Sequence, residues 1–150
     1  MSVMLDEALH FLDIRRGGCY MDCTLGGAGY TLALAAAAGP EGRIIGIDQD
    51  DLAIAHAHQE LALRKIENVE LVQDNFKNLE EIAAGQAGKI DGIVFDLGLS
   101  SAQLDDEARG FSFKGDRPLD MAFGPDPVRR TVDIVNRYPH GELARRVDNG

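Results

Sequence analysis

At 150 residues, with 45% hydrophobic and 27% charged side chains, the chain has the size and balance of one globular domain, which excludes a disordered protein. No run approaches the roughly 18 consecutive apolar residues of a membrane span, and a start carrying Asp6 and Glu7 lacks the basic region of a secretory leader, so a cytoplasmic location is the default. A net charge of −10 argues against a simple RNA clamp, because binding phosphate needs a basic footprint.

Residues 4–12 (MLDEALHFL) space their apolar side chains as a short helix does. Gly17-Gly18 breaks the chain before CYMDCTL, a short strand ending near Asp22. The glycine-rich turn Gly26-Gly27-Ala28-Gly29 follows, and then a strongly helix-forming stretch from Tyr30 to Ala38, stopped by Gly39-Pro40. Arg43 to Asp48 (RIIGID) is an apolar run closed by an acid, the pattern of a buried parallel strand.

The alternation continues with a helix over 51–65, whose apolar face is expected to hold Leu52, Ala55 and Leu61. A third strand runs from Asn68 to Gln73, a short helix over 78–84, and a fourth strand from Ile90 to Asp96. Strands and helices alternating with short connections predict βαβ units, hence an α/β fold with a parallel sheet. Four strands are fewer than the about six or seven that complete a doubly wound sheet, so the sheet is expected to be incomplete in this chain.

From residue 97 to 127 the periodicity is lost among glycines and prolines, and irregular segments of such length are usually functional or disordered. Helical spacing returns at Val128, Val132 and Val135, and again near Leu143. Charge changes along the chain too. Residues 1–96 hold 7 basic and 16 acidic side chains, whereas residues 97–150 hold 8 and 9. Any contact with nucleic acid is therefore expected from the later segment, with Arg109, Arg117, Arg129, Arg130, Arg145 and Arg146, or from protein beyond it.

Two cysteines, Cys19 and Cys23, have the spacing of neither a CxxC redox pair nor a zinc knuckle, and they read as structural thiols. The four histidines form no HxxxH or HExxH pattern, so no metal site is predicted.

Four constellations carry possible chemistry. The first is Asp22 with Gly26, Gly27 and Gly29, where missing Cβ atoms let a ligand approach the main chain. It is neither the GxGxxG of a dinucleotide fingerprint nor a Walker loop, and a tight βα turn without a ligand is the plainer reading. The second is Asp48, which ends the second strand about 20 residues after the turn, where a carboxylate accepts hydrogen bonds from both ribose hydroxyls of an adenosine. It suits NAD and S-adenosylmethionine equally, and a solvated strand-end acid is the alternative. The third is Asp74-Asn75-Phe76, whose ring is either a stacking partner for adenine or a core residue.

The fourth is Asp96-Leu97-Gly98-Leu99-Ser100-Ser101, followed by Gln103, Leu104, Asp105 and Asp106. In open α/β sheets a transferred group meets its substrate outside the carboxyl ends of the strands. Asp96, or a carbonyl beside it, is suited to accept the protons of an amine whose lone pair must attack. Ser100 and Ser101 read as turn caps, and without a nearby histidine they do not suggest a serine hydrolase.

In order, LDEAL, DCTLGGAGYT, GRIIGIDQD, the Asp74-Asn75-Phe76 turn and KIDGIVFDLGLSSAQLDDEARGFSFKGDRPLDM resemble the RsmH/MraW family, methyltransferases of a cytosine N4 amine in small-subunit ribosomal RNA. The resemblance covers essentially the whole chain, and the block from Asp91 to Met121 is its most specific part. It implies a Rossmann-like S-adenosylmethionine-dependent methyltransferase fold, S-adenosyl-L-methionine as cofactor, and the small ribosomal subunit as partner. Carried over residue by residue, it implies cofactor contacts at Ala28, Gly29 and Tyr30 in the turn, Asp48 at the ribose and Phe76 beside the adenine. It implies Asp96 and Gln103 as the remaining contacts, with Asp96 also the candidate catalytic group.

Residues 1–121 are then the N-terminal part of the cofactor-binding core, and 122–150 begin a helical RNA-recognition insertion. Tyr30 stands where the family often has histidine, Ala28 where it often has glycine, and Ala102 where proline usually follows the two serines. Two other readings stay open: a truncated, non-catalytic cofactor- or RNA-binding remnant, and an NAD-dependent oxidoreductase sharing the strand–turn–helix and Asp48. The sequence assigns no membrane contact and leaves the oligomeric state undetermined.

Overall fold

The computed structural model describes residues 4–86, 88–98 and 131–148. The chain divides into two compact units, Met1–Gly98 and Leu99–Gly150. In the first unit α1 (Leu5–Leu12) leads into β1 (Cys19–Asp22), α2 (Gly29–Ala38), β2 (Arg43–Asp48), α3 (Asp51–Arg64) and β3 (Val69–Gln73). Next come α4 (Leu79–Ala83), between single 3-10 turns at Phe76–Asn78 and Ala84–Gln86, and β4 (Gly92–Val94).

All four strands are parallel, in the order β3-β2-β1-β4. The chain steps outward from β1 to β2 to β3 and then crosses back to the far side of β1. The reversal falls between β1 and β4, and open α/β sheets bind ligands at the carboxyl ends beside such a switch.

Burial on both faces explains the uninterrupted apolar runs. On one face Tyr20, Ile44 and Val94 pack with Tyr30, Leu34 and Ala38 of α2, and Leu5, Leu9 and Leu12 of α1 close over them. On the other, Met21, Cys23, Ile45 and Ile47 pack with Leu79 and Ile82 of α4. Both cysteines are free thiols; Cys23 is buried, and burial followed by the neighbouring Asp22 charge pushes it up to about 11. At neutral pH it is a packed apolar group, as the structural reading expects.

The third helix corrects its expected face. The buried positions of α3 are Ala53, Ala57 and Leu61, whereas Ala55 is exposed and Leu52 is 57% exposed. Small residues line the inner stripe because α3 lies close over Leu25 and Ala28 of the glycine turn. Leu52 sits in the first turn, just past Asp50, whose side chain accepts the Leu52 N–H at 3.1 Å and caps the helix.

The short helix of 78–84 is a five-residue α4 extended by 3-10 turns. The fourth strand is shorter than expected, three residues instead of seven. Its ladder with β1 ends at the Asp22–Val94 pair. Beyond that point side chains take over from the main chain, with consequences for the site.

In the second unit α5 (Thr131–Arg137) and α6 (His140–Asp148) flank Pro139, whose carbonyl accepts the N–H groups of Glu142 and Leu143 at 2.9 and 3.1 Å. These helices match the returning periodicity; Val128 and the expected domain boundary after residue 121 lie outside the described residues. Among the described residues no helix is long and apolar enough to cross a membrane.

Gly46 in the middle of β2 shows how tightly the layers meet. A Cβ there would lie 3.0 Å from Leu25 Cδ1, 3.1 Å from Leu71 Cδ2 and 3.2 Å from Thr31 Oγ1. Gly46→Val is expected to destabilise the fold by about 2 kcal/mol or more through overpacking, read as a fall in the urea midpoint. An unchanged midpoint would mean that the three neighbours yield freely.

Candidate functional site

The carboxyl ends of the four strands carry the residues that the sequence singles out. β1 ends in Asp22, a fully buried carboxylate. Its Oδ1 accepts the Thr24 N–H at 3.1 Å and its Oδ2 accepts the Thr31 hydroxyl at 2.7 Å. Thr24 begins the glycine turn and Thr31 lies in the first turn of α2, so one side chain clamps both ends of the loop. Burial raises the Asp22 carboxyl above its ordinary value of 3.8, opposed first by the Thr31 hydroxyl and then by the main-chain N–H groups of Thr24 and Thr31.

Asp48, ending β2, holds the middle of the same turn. Its Oδ2 accepts the Gly26 N–H at 2.9 Å and its Oδ1 accepts the Asp50 N–H at 2.9 Å. Each oxygen of an ionised carboxylate has a second lone pair, so both keep capacity for a ligand hydroxyl. Gly26 takes a left-handed φ of +46°, and a Cβ on Gly27 would meet nothing within 4 Å.

Ala28 is also left-handed, at φ 61°, and caps α2 with its methyl group buried. A non-glycine residue there costs about 1 kcal/mol of backbone strain, which explains why glycine suits the position; the buried methyl offsets part of it. Gly29 and Tyr30 open α2, whose first N–H groups give that end a partial positive charge. Tyr30 is buried, and its phenol is raised by that burial and then by the Asp96, Asp22 and Glu7 charges. It stays protonated at neutral pH, a hydroxyl in the field of two of the strand-end acids.

The turn after β3 lies against Asp48. The Asp74 N–H donates to the Asp48 carbonyl at 3.0 Å, and Asn75 Nδ2 donates to Gln49 Oε1 at 2.8 Å. Phe76 is therefore at the same end of the sheet as Asp48, 42% exposed and outside the buried core. Its ring meets Phe95, just past β4, edge to face at 5.7 Å between centroids and 87°. β3 and β4 are the outer strands of this sheet, yet the loops that follow them touch through these rings.

Asp96 is exposed, and its N–H donates to Thr24 Oγ1 at 2.7 Å. Thus Ala28, Gly29, Tyr30, Asp48, Phe76 and Asp96 all lie at the carboxyl end of the sheet. Gln103 lies outside the described residues, as does everything from Leu99 to Arg130. Sequence reasoning did not single out Thr24, Thr31 or Phe95. Spacing offers no signal for them, because each acts through a partner distant in the chain or across the turn.

A parallel sheet that reverses beside β1, with a glycine turn and a ribose-type acid at its carboxyl end, defines a Rossmann-like domain suited to an adenosine-containing cofactor. The model of the MraW methylase family matches residues 1–149, and the chain belongs to that family. It is 44% identical over 147 residues to the ribosomal RNA small subunit methyltransferase H of Brevibacillus brevis, covering 97% of this chain and 46% of that protein. The corresponding protein of Heliobacterium mobile is 43% identical, with 97% and 47% covered. The chain thus spans about half the length of these curated relatives.

Among solved structures, a protein of Clostridium thermocellum provisionally assigned as an rRNA-methylase superposes with a TM-score of 0.50. The two share 26% identity over 54% of this chain and 45% of that one.

Asp22 gives the site a pH signature. A carboxyl raised in the folded state binds its proton more tightly there than in the unfolded chain. Its stabilising contribution is fully present below the ordinary value of 3.8 and is lost as pH rises to the raised one. Asp22→Asn still accepts from Thr24 and can donate to Thr31, so the variant should gain stability relative to the unaltered chain as pH rises through that window. Urea unfolding across a pH series reads the difference, and parallel pH profiles would contradict it.

Proposed function

We propose that this chain is the cofactor-binding half of an S-adenosyl-L-methionine-dependent enzyme that methylates the exocyclic N4 amine of a cytosine in small-subunit (16S) ribosomal RNA. The observation that carries the reading is the convergence of Asp48, the Phe76 turn and the Thr24–Asp96 contact at one end of a parallel sheet. Family membership and the identity of the relatives as ribosomal RNA small subunit methyltransferases support the substrate class.

The residues present fit the cofactor. Asp48 retains a lone pair on each oxygen for the two ribose hydroxyls, and Phe76 offers a partly exposed ring to the adenine. Open space over Gly27 admits a ligand to the main chain, with Ala28, Gly29 and Tyr30 at the positive end of α2 to receive a carboxylate. When bound, S-adenosylmethionine supplies an electrophilic methyl group on a positively charged sulfur. The acidic side chains at the strand ends favour that charge.

Asp96 is the candidate catalytic group. It holds the target amine by accepting its proton, directing the lone pair at the methyl carbon and later taking the proton shed by the methylated nitrogen. Gln103 completes the contacts to the cofactor. We assign residues 1–121 to the core and 122–150, with its arginines, to the beginning of a helical element for RNA recognition. The acceptor base is splayed out of folded RNA in the small ribosomal subunit, and the enzyme works in the cytoplasm.

Calorimetry with S-adenosylhomocysteine tests the cofactor site. The chain should bind it and not NAD, and Asp48→Asn should weaken binding about tenfold, the cost of impairing charged hydrogen bonds. Methyl transfer from labelled cofactor to small ribosomal subunits, by the protein at the length of its relatives, tests the activity, and Asp96→Ala should lower kcat by about a hundredfold or more. Preference for NAD would overturn the cofactor assignment. Binding without incorporation would leave a non-catalytic binding module.

A further inference from the structure

We infer that Thr24 is a positioning residue of the methyl-transfer site, its hydroxyl splinting the cofactor turn to the acceptor-side segment that begins at Asp96. This inference rests on the function proposed above and adds to it a residue for which spacing offers no signal.

The geometry is specific. β1 and β4 pair through Asp22–Val94, and the Cys23 N–H still donates to the Val94 carbonyl at 2.9 Å. If the parallel ladder continued, the next bond would run from the Asp96 N–H to the carbonyl of residue 23. It runs instead to Thr24 Oγ1, at 2.7 Å. Main chain gives way to side chain at the point where the two strands part to make room at the switch.

Thr24 is also tied inward. Its own N–H donates to Asp22 Oδ1, and the other oxygen of that carboxylate holds the Thr31 hydroxyl. A continuous path of hydrogen bonds therefore runs from the first turn of α2, through a buried carboxylate, to the main chain of Asp96. On the adenosine side Asp48 is held by contacts that do not pass through Thr24, from Gly26 and from the Asp74 turn, and Phe76 is anchored in that turn, meeting the segment of Asp96 through the ring of Phe95. Removing the Thr24 hydroxyl should consequently loosen the end of the site that faces the sulfur and the acceptor, and leave the adenosine end in place.

Two variants and two probes read this. Thr24→Val keeps the branched shape without an acceptor, and Thr24→Ser keeps the acceptor. By calorimetry on the 150-residue chain, Thr24→Val should bind S-adenosylhomocysteine about fivefold more weakly, as expected for one lost hydrogen bond, while adenosine affinity stays within about twofold. Amide hydrogen exchange at Asp96 should accelerate in Thr24→Val and return towards the original rate in Thr24→Ser, as should the S-adenosylhomocysteine affinity.

Equal weakening of both probes, unchanged S-adenosylhomocysteine binding in Thr24→Val, or failure of Thr24→Ser to restore it would overturn the inference. Failure of the unaltered chain to bind either probe would instead strike the proposed function itself, and the inference with it.

Discussion

Taking a carboxylate out of water is costly unless donors replace the hydration it loses, and the buried Asp22 lies at the centre of this structure for that reason. Its donors come from the two ends of the glycine turn, Thr24 on one side and Thr31 on the other. Satisfying the charge and shaping the loop are therefore one event. Asp48 repeats the arrangement at Gly26. A turn containing two adjacent glycines would sample many conformations alone; two carboxylates restrict it to one.

What the turn fixes, its neighbours inherit. Ala28 takes its left-handed conformation at the end of the turn and thereby sets where α2 begins. α2 and α3 then lie close to the sheet because small residues face it: Ala35 and Ala38 on one helix, Ala53 and Ala57 on the other, with Gly46 between. In the register of β1 with β2 Asp22 lies opposite Gly46, so Asp48 stands two residues further out and holds the middle of the loop whose ends Asp22 holds. On the far side Thr24 carries the same order to Asp96. The acidic groups gathered there make the sheet end suited to a cationic ligand, which agrees with the net negative charge of residues 1–96.

Much of the frame was legible in the residues. RIIGID read as a buried strand because a strand covered on both faces needs no polar alternation, and it is β2. The alanine run from Leu34 read as helix from intrinsic propensity, and Gly39 ends it at a φ of +75°. Less legible was α3, where Leu61 faces inward as expected but Leu52 and Ala55 do not, the buried stripe running instead through Ala53 and Ala57 and packing against Leu25 and Ala28. The fourth strand read as too long for a related reason. IDGIVFD has the apolar character of a strand throughout, but Ile93 and Phe95 are partly exposed and pairing stops at Val94.

The sequence by itself determined the order of elements, the parallel sheet, the glycine turn and the acids at the strand ends, because periodicity, propensity and chain-breaking residues act over a few positions. It also carried the family, through motifs spread along almost the whole chain. Only the tertiary structure decided what those residues touch. Phe76 meeting Phe95, Asp48 holding Gly26 and Thr24 receiving the Asp96 N–H join positions 19 to 72 residues apart or more than one strand away. Such contacts depend on strand order and on how closely helices approach the sheet, and local pattern encodes neither.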